Sequence, residues 1–244
     1  MLYIFTLKVY HKRMRLHRFI GDYDFSKKEI EILDPKIIKQ IKGVLRFKKG
    51  EMIILSDGKG NNAEITLSFL SSDKITGTID KVAKKEKTRR RVSLYLAVLK
   101  KENFELAVQK AVEAGVSEII PVITERTIKT GLNIDRLKKI ILEASEQSGR
   151  SFVPVLSPIL KFQNALINGN NAEEKVIFHL DNDLYVPNKE AQNISIFVGP
   201  EGGFTPKEIN LAKDSGYTVS SLGHLTLRAE TAAIIATYRV VKGI

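Results

Sequence analysis

Two stretches near the C-terminus hold residue types that do chemistry. Ile196-Phe-Val-Gly-Pro-Glu-Gly-Gly-Phe-Thr205 is an apolar run that breaks into a glycine-rich loop with one acid, Glu201. Some twenty residues on, Ser221-Leu-Gly-His-Leu-Thr-Leu-Arg-Ala-Glu-Thr231 repeats the design and delivers Arg228 and Glu230 where a helix begins. Glycine lets a backbone approach a ligand closely. Two such loops side by side make a small-molecule pocket with a charged edge. Spacing alone leaves other readings open. A glycine-rich loop also serves as a tight turn, and Arg228 with Glu230 also reads as a surface pair at a helix start, where the dipole favours an acid. Neither GxGxxG nor GxxxxGK[ST] occurs, which argues against a common dinucleotide or ATP site. There is no Cys, and His11, His17, His179 and His224 lack metal-ligand spacing.

Residues 92–244 alternate apolar strand-like runs with helical periodicity, beginning at Val92–Leu99. Helices are expected over Asn103–Gly115, Ile134–Ser148, Phe162–Asn168 and Glu230–Val241. Thr205-Pro-Lys-Glu208 is a capping box with proline at the first helical position. Strands are expected over Ser117–Ile123, Phe152–Leu156, Val176–Leu180, Ile194–Val198 and Tyr217–Leu222. Repeated βα units imply a mostly parallel sheet covered on both faces, with ligands beyond the carboxyl ends of its strands. Both C-terminal loops lie at such ends. Residues 14–84 read instead as short strands with one helix, capped by Asp34 and started by Pro35, the pattern of a small β-barrel. Between the two, Lys84-Lys-Glu-Lys-Thr-Arg-Arg-Arg91 has no apolar anchor, and 85–91 reads as a basic linker, either solvated or in direct contact with nucleic acid. Residues 1–13, ahead of a second possible start at Met14, read as an extension.

The net charge is +11. Residues 1–91 hold 22 Lys+Arg against 11 Asp+Glu, whereas 92–244 hold 17 of each. The imbalance in the first part points to nucleic acid, since phosphate neutralisation is the usual use of such a field. No apolar run approaches the roughly 18 residues that span a bilayer, and no secretory cleavage pattern follows residues 1–10, so a cytoplasmic protein without membrane association is expected.

Gly199-Pro-Glu-Gly-Gly203, with Leu222-Gly223 and Leu227-Arg228-Ala-Glu230-Thr231, closely resembles the RsmE family of SPOUT-class methyltransferases. Val44-Leu45-Arg46 with Gly50, then Asp57-Gly58 and Ala63-Glu64-Ile65, are similar to the family's N-terminal PUA-like domain. Lys100 with Glu105, Gln109-Lys110-Ala-Val-Glu-Ala-Gly115-Val116, Thr124-Glu125-Arg126 and Glu146-Gln147-Ser148-Gly149-Arg150 extend the likeness over about residues 14–241. The resemblance implies a trefoil-knotted α/β SPOUT domain over 92–244 preceded by a PUA-like RNA-binding β-barrel over 14–84. It also implies a homodimer with no metal. The implied reaction is methyl transfer from S-adenosylmethionine to N3 of a uridine in 16S rRNA of the small ribosomal subunit, leaving S-adenosylhomocysteine. A SPOUT enzyme with another target nucleotide, or a non-catalytic RNA-binding ribosome-assembly protein, are the competing readings.

Carried onto this chain, the resemblance assigns cofactor binding to Leu180, Phe197, Val198, Gly199, Pro200, Glu201, Gly202, Leu222, Gly223 and Leu227. Arg228 would steady the anion that forms as uridine N3 loses its proton. Glu230 would take that proton or orient Arg228. Arg15, Arg18, Arg46, Lys48, Lys49, Arg126 and Arg150 are the expected RNA contacts. The chain departs from the family pattern at Leu225, where Arg is usual, and at Thr226 and Lys101.

Overall fold

Glu29-Ile-Glu-Ile32 has strict period-two polarity, and both isoleucines are buried while both glutamates are exposed. This is the second strand of a small sheet that the computed structural model describes within residues 16–128, 131–180 and 182–244. The expected extension over 1–13, the start at Met14 and the RNA contact Arg15 lie outside the described residues. The chain forms two compact units: residues up to Ser56 with Asn62–Ala83, and Asp57–Asn61 with Lys84–Ile244.

The smaller unit holds β1 (Arg18–Ile20), β2 (Glu29–Ile32), α1 (Pro35–Lys39), β3 (Met52–Ser56), β4 (Asn61–Leu70) and β5 (Ile75–Lys84). Asp34 caps α1 by accepting from the Lys36 amide at 2.7 Å. Ile37, Ile38 and Ile41 join Phe19, Ile53, Leu55, Ile65 and Ile75 in one core. The five strands run in the order β1-β3-β4-β5-β2. Among the described residues β1 and β2 stand at the ends of that path, and Ile37, Ile38 and Ile41 of the helical segment pack into the core of the sheet.

The larger unit holds β6 (Arg91–Ala97), α2 (Lys101–Ala114), β7 (Glu118–Ile123), α3 (Ile134–Ser148), β8 (Val155–Leu156), β9 (Leu160–Lys161), α4 (Phe162–Asn168), β10 (Glu174–Phe178), β11 (Asn193–Val198), α5 (Pro206–Asp214), β12 (Thr218–Ser220) and α6 (Ala229–Lys242). The sheet is parallel, in the order β12-β10-β11-β6-β7-β8, with β9 also paired to β7. Alternate side chains of its strands enter two cores. Leu94, Leu96, Ile196 and Val198 pack against α2, α3 and α6. Tyr95, Ile120 and Phe197 pack with Phe162 of α4 and Ile209 of α5.

Two expectations change. The segment 85–91 clusters with the larger unit, into which Arg90 is built, while every other residue of the segment is exposed. The Arg90 guanidinium donates to the carbonyls of Val240 (2.5 Å), Asn188 (2.8 Å) and Ala191 (2.9 Å) and pairs with Glu174 at 3.1 Å. The positive excess is also not a property of the small sheet. Its described residues hold 11 Lys+Arg against 9 Asp+Glu, while 84–91 hold six against one and 1–15 four against none.

Candidate active site

Chain direction sets where the site forms. In a parallel sheet all carboxyl ends share one edge, and β6, β10, β11 and β12 are consecutive neighbours there. The loop after β11 turns tightly: the Gly203 amide donates to the Pro200 carbonyl at 2.8 Å, and Gly203 has φ +68°. It ends in the capping box of α5, where the Thr205 hydroxyl accepts from the Glu208 amide and the Glu208 carboxylate accepts from the Thr205 amide. Glu208 also accepts from the Glu125 amide at 2.9 Å, tying the loop after β7 to the same helix start.

Two further contacts fix the loop. Arg126 donates to the Gly202 carbonyl at 2.6 Å. The Glu201 carboxylate accepts from the Lys100 amide, the N-cap of α2, at 3.2 Å. Glu201 thereby satisfies one of the orphan amides of a helix that lacks a side-chain cap of its own. The second loop leaves β12 with Ser221 bonded on both sides, its amide to the Asp183 carbonyl and its carbonyl to the Tyr185 amide. It then passes through Gly223 at φ +138°, a conformation that L side chains rarely adopt.

Between these loops lies a cleft of about 570 Å³. Leu180, Val198, Gly199, Pro200, Glu201, Gly202, Leu222, Gly223, Leu227, Arg228 and Glu230 all line it. Phe197 is the exception among the residues expected there. Its ring is fully buried and stacks on Tyr95 with centroids 4.4 Å apart, in the core on the α4 and α5 side. Neighbouring strand residues point to opposite faces, so Val198 lies on the cleft side and Phe197 cannot. Lys100, Asn103, His179, Leu225 and Thr226 are also among the lining residues. Lys100 and Asn103 follow the carboxyl end of β6, and the adjacency of β6 to β11 brings them there.

Arg228 is exposed at the N-cap of α6, and Glu230 is 6% exposed. No hydrogen bond or ion pair joins them, and the Glu230 Oε2 is buried with no partner. The expected orienting role of Glu230 toward Arg228 is therefore not built. Residues two apart on a helix face different ways, which leaves the acid inside and the guanidinium at the rim.

The expected RNA contacts are dispersed. Arg18 is hydrogen-bonded to Asn62, Arg46 is exposed at φ +57°, and Lys48 and Lys49 are exposed, all in the smaller unit. Arg126 is at the cleft loop, whereas Arg150 lies in the larger unit near the amino ends of its strands, bonded to the Val112 and Phe152 carbonyls.

The arrangement suits a small molecule held by glycine-rich backbone, with a buried acid beside it and a cation where a second, anionic reactant would enter. Residues 85–241 match the RNA methyltransferase domain family. The chain is 32% identical over 222 residues to the ribosomal RNA small subunit methyltransferase E of Rickettsia conorii, covering 87% of this chain and 89% of the relative. The crystal structure of a ribosomal RNA small subunit methyltransferase E from Neisseria gonorrhoeae bound to S-adenosyl methionine superposes with TM-score 0.82 at 30% identity, covering 91% of this chain and 95% of that one. A putative methyltransferase of Legionella pneumophila, in complex with the same cofactor, gives TM-score 0.80 at 27% identity, with 92% and 96% covered.

Proposed function

The chain belongs to the ribosomal RNA small subunit methyltransferase E family, and from that premise we propose that it transfers a methyl group from S-adenosylmethionine to N3 of a uridine in 16S rRNA. One observation carries the reading. A glycine-built cleft at the carboxyl edge of the sheet encloses a buried, unpartnered carboxylate, with a free guanidinium at its rim. The residues fit the cofactor. Close backbone around Gly199, Gly202 and Gly223 and the apolar Leu180, Leu222 and Leu227 would hold an adenosyl group, and a cleft of this size takes a drug-sized ligand. When bound, S-adenosylmethionine supplies a methyl group activated by a positively charged sulfur.

Uridine N3 carries a proton at neutral pH and becomes nucleophilic only as that proton leaves. Two acids line the cleft. Glu201 is engaged at the start of α2, which leaves Glu230 to receive the N3 proton. Arg228 stabilises the negative charge that spreads to the uracil oxygens, as a preorganised cation does for a developing anion. Arg18, Arg46, Lys48 and Lys49 are proposed RNA contacts of a PUA-like smaller unit. A trefoil knot, a homodimer and a cytoplasmic location belong to the same proposal. The knot is supported by the chain course from outer strand β12 back to α6, which packs on α2, β6 and β11.

The test is modification mapping of small-subunit RNA incubated with protein and cofactor. A new N3-methyluridine is the expected product. Methylation of a different atom would assign another target nucleotide, and RNA binding without methylation would leave an assembly protein.

A further inference from the structure

At the amino ends of the strands, opposite the cofactor cleft, the larger unit has a second cleft of about 740 Å³. All its lining residues belong to that unit. Three helices end beside it: α2 at Gly115, α3 at Gly149 and α6 at Gly243. Its other wall is the charge run 85–91 and the loop Asp57–Asn61. The backbone of this wall is fixed, with Gly60 donating to Ser151 at 2.9 Å, Lys85 to Gly60 at 2.8 Å and Val153 to Gly58 at 2.9 Å.

Local needs explain part of the charge. Helix C-termini carry partial negative charge and attract cations, which accounts for Lys242 and for Arg150, bonded to the Val112 carbonyl. Arg90 is consumed by its three carbonyls and Glu174, Glu113 is paired with Lys110, and Glu86 is the one other acid of the lining. Lys59, Lys85, Lys87 and Arg91 are left over. None of these four makes an ion pair among the described residues, and the Lys87 ammonium rests 5.8 Å over the Phe152 ring. Burial lowers the Arg150 pKa to about 10 with no carboxylate to offset it. Four unpaired cations against the single acid Glu86 leave an excess of positive charge on this wall, which an anion would neutralise.

We infer that this cleft is a docking groove for the RNA backbone, separate from the site of methyl transfer. The inference rests on the reading that the substrate is RNA. Strand β6, seven residues long, joins the two ends of the sheet, so the clefts are about 20 Å apart at roughly 3.3 Å per residue. The groove therefore grips phosphates that flank the target nucleotide, about six nucleotides along one stacked strand at roughly 3.4 Å each.

The test is salt-dependent binding of a small-subunit RNA transcript by the full chain and by a K59Q/K85Q/K87Q variant. A K138Q/K189Q/K213Q variant, at exposed positions elsewhere on the larger unit, controls for net charge. The groove variant should lose roughly tenfold in affinity at moderate salt. Its log–log salt slope should fall by about 2, at roughly 0.7 per phosphate contact on a single strand. Turnover at saturating RNA and affinity for S-adenosylmethionine should equal wild type. An oligonucleotide of about six residues centred on the target should not distinguish the groove variant from wild type. Equal transcript affinity and slope for the groove variant and the control would overturn the groove while leaving the methyltransferase reading intact. A groove-specific slope change in a protein that methylates nothing would uphold the groove and overturn that reading.

Discussion

Arg228 and Glu230 are two residues apart and face different surroundings, and their substitutions should separate accordingly. Arg228→Ala should lower methyl transfer about a hundredfold, the scale of one lost electrostatic stabiliser. Cofactor affinity, measured by calorimetry, should hold. Glu230→Gln removes a buried carboxylate whose Oε2 has no partner. An unsatisfied buried polar group costs about 1–3 kcal/mol, and the helix dipole returns about 0.3–1 kcal/mol to an acid in the first turn. The glutamine keeps an unpartnered polar group in the same place and gives up only the dipole contribution, so the variant should lose less than about 1 kcal/mol in urea while methyl transfer falls at least tenfold. The motif spacing made both residues legible in the sequence. It did not reveal that they are unpaired, because that depends on how far α6 turns its first residues into the sheet edge. Phe197 was illegible for a similar reason: a strand buried on both faces shows no alternation to tell cleft from core.

At the scale of elements, helices were the easier reading. Ile134–Ser148 and Phe162–Asn168 fall where periodicity and terminal glycines place them, and Thr205 and Glu208 form the expected capping box. Strand β2 has a clean period of two in Glu-Ile-Glu-Ile, but at four residues it is too short for that pattern to mark it as a strand in the sequence. The two-residue β9 carries no sequence pattern at all. The largest surprise is Arg90, which a run of like charges disguises as solvated. Its partner Glu174 also accepts from the Tyr185 hydroxyl at 2.8 Å, and burial and that carboxylate both push the tyrosine's pKa up. Removing one member of a buried pair costs about 3–5 kcal/mol. Arg90→Ala should lower stability by that amount in urea titration, far beyond what Arg89→Ala does from its exposed position.

For the whole molecule, composition gave the class of partner but misplaced the charge, since summing over 1–91 merged the small sheet with a segment that folds elsewhere. Each unit has its own core, so cofactor binding should act on one of them. At a concentration of a hundred times Kd, S-adenosylmethionine should add about 2.7 kcal/mol to the unfolding of the larger unit. Scanning calorimetry should show that transition move, and Gly223→Ala should diminish the shift by straining the second loop at φ +138°. A different consequence follows from the loop Asp57–Asn61, which the chain sends from the β3–β4 hairpin into the larger unit, where Lys59 bridges to Phe152. The N-terminal part is consequently not an exchangeable module. A chimaera that grafted another small domain onto residue 84 would import a foreign hairpin tip beside Ser151 and Phe152.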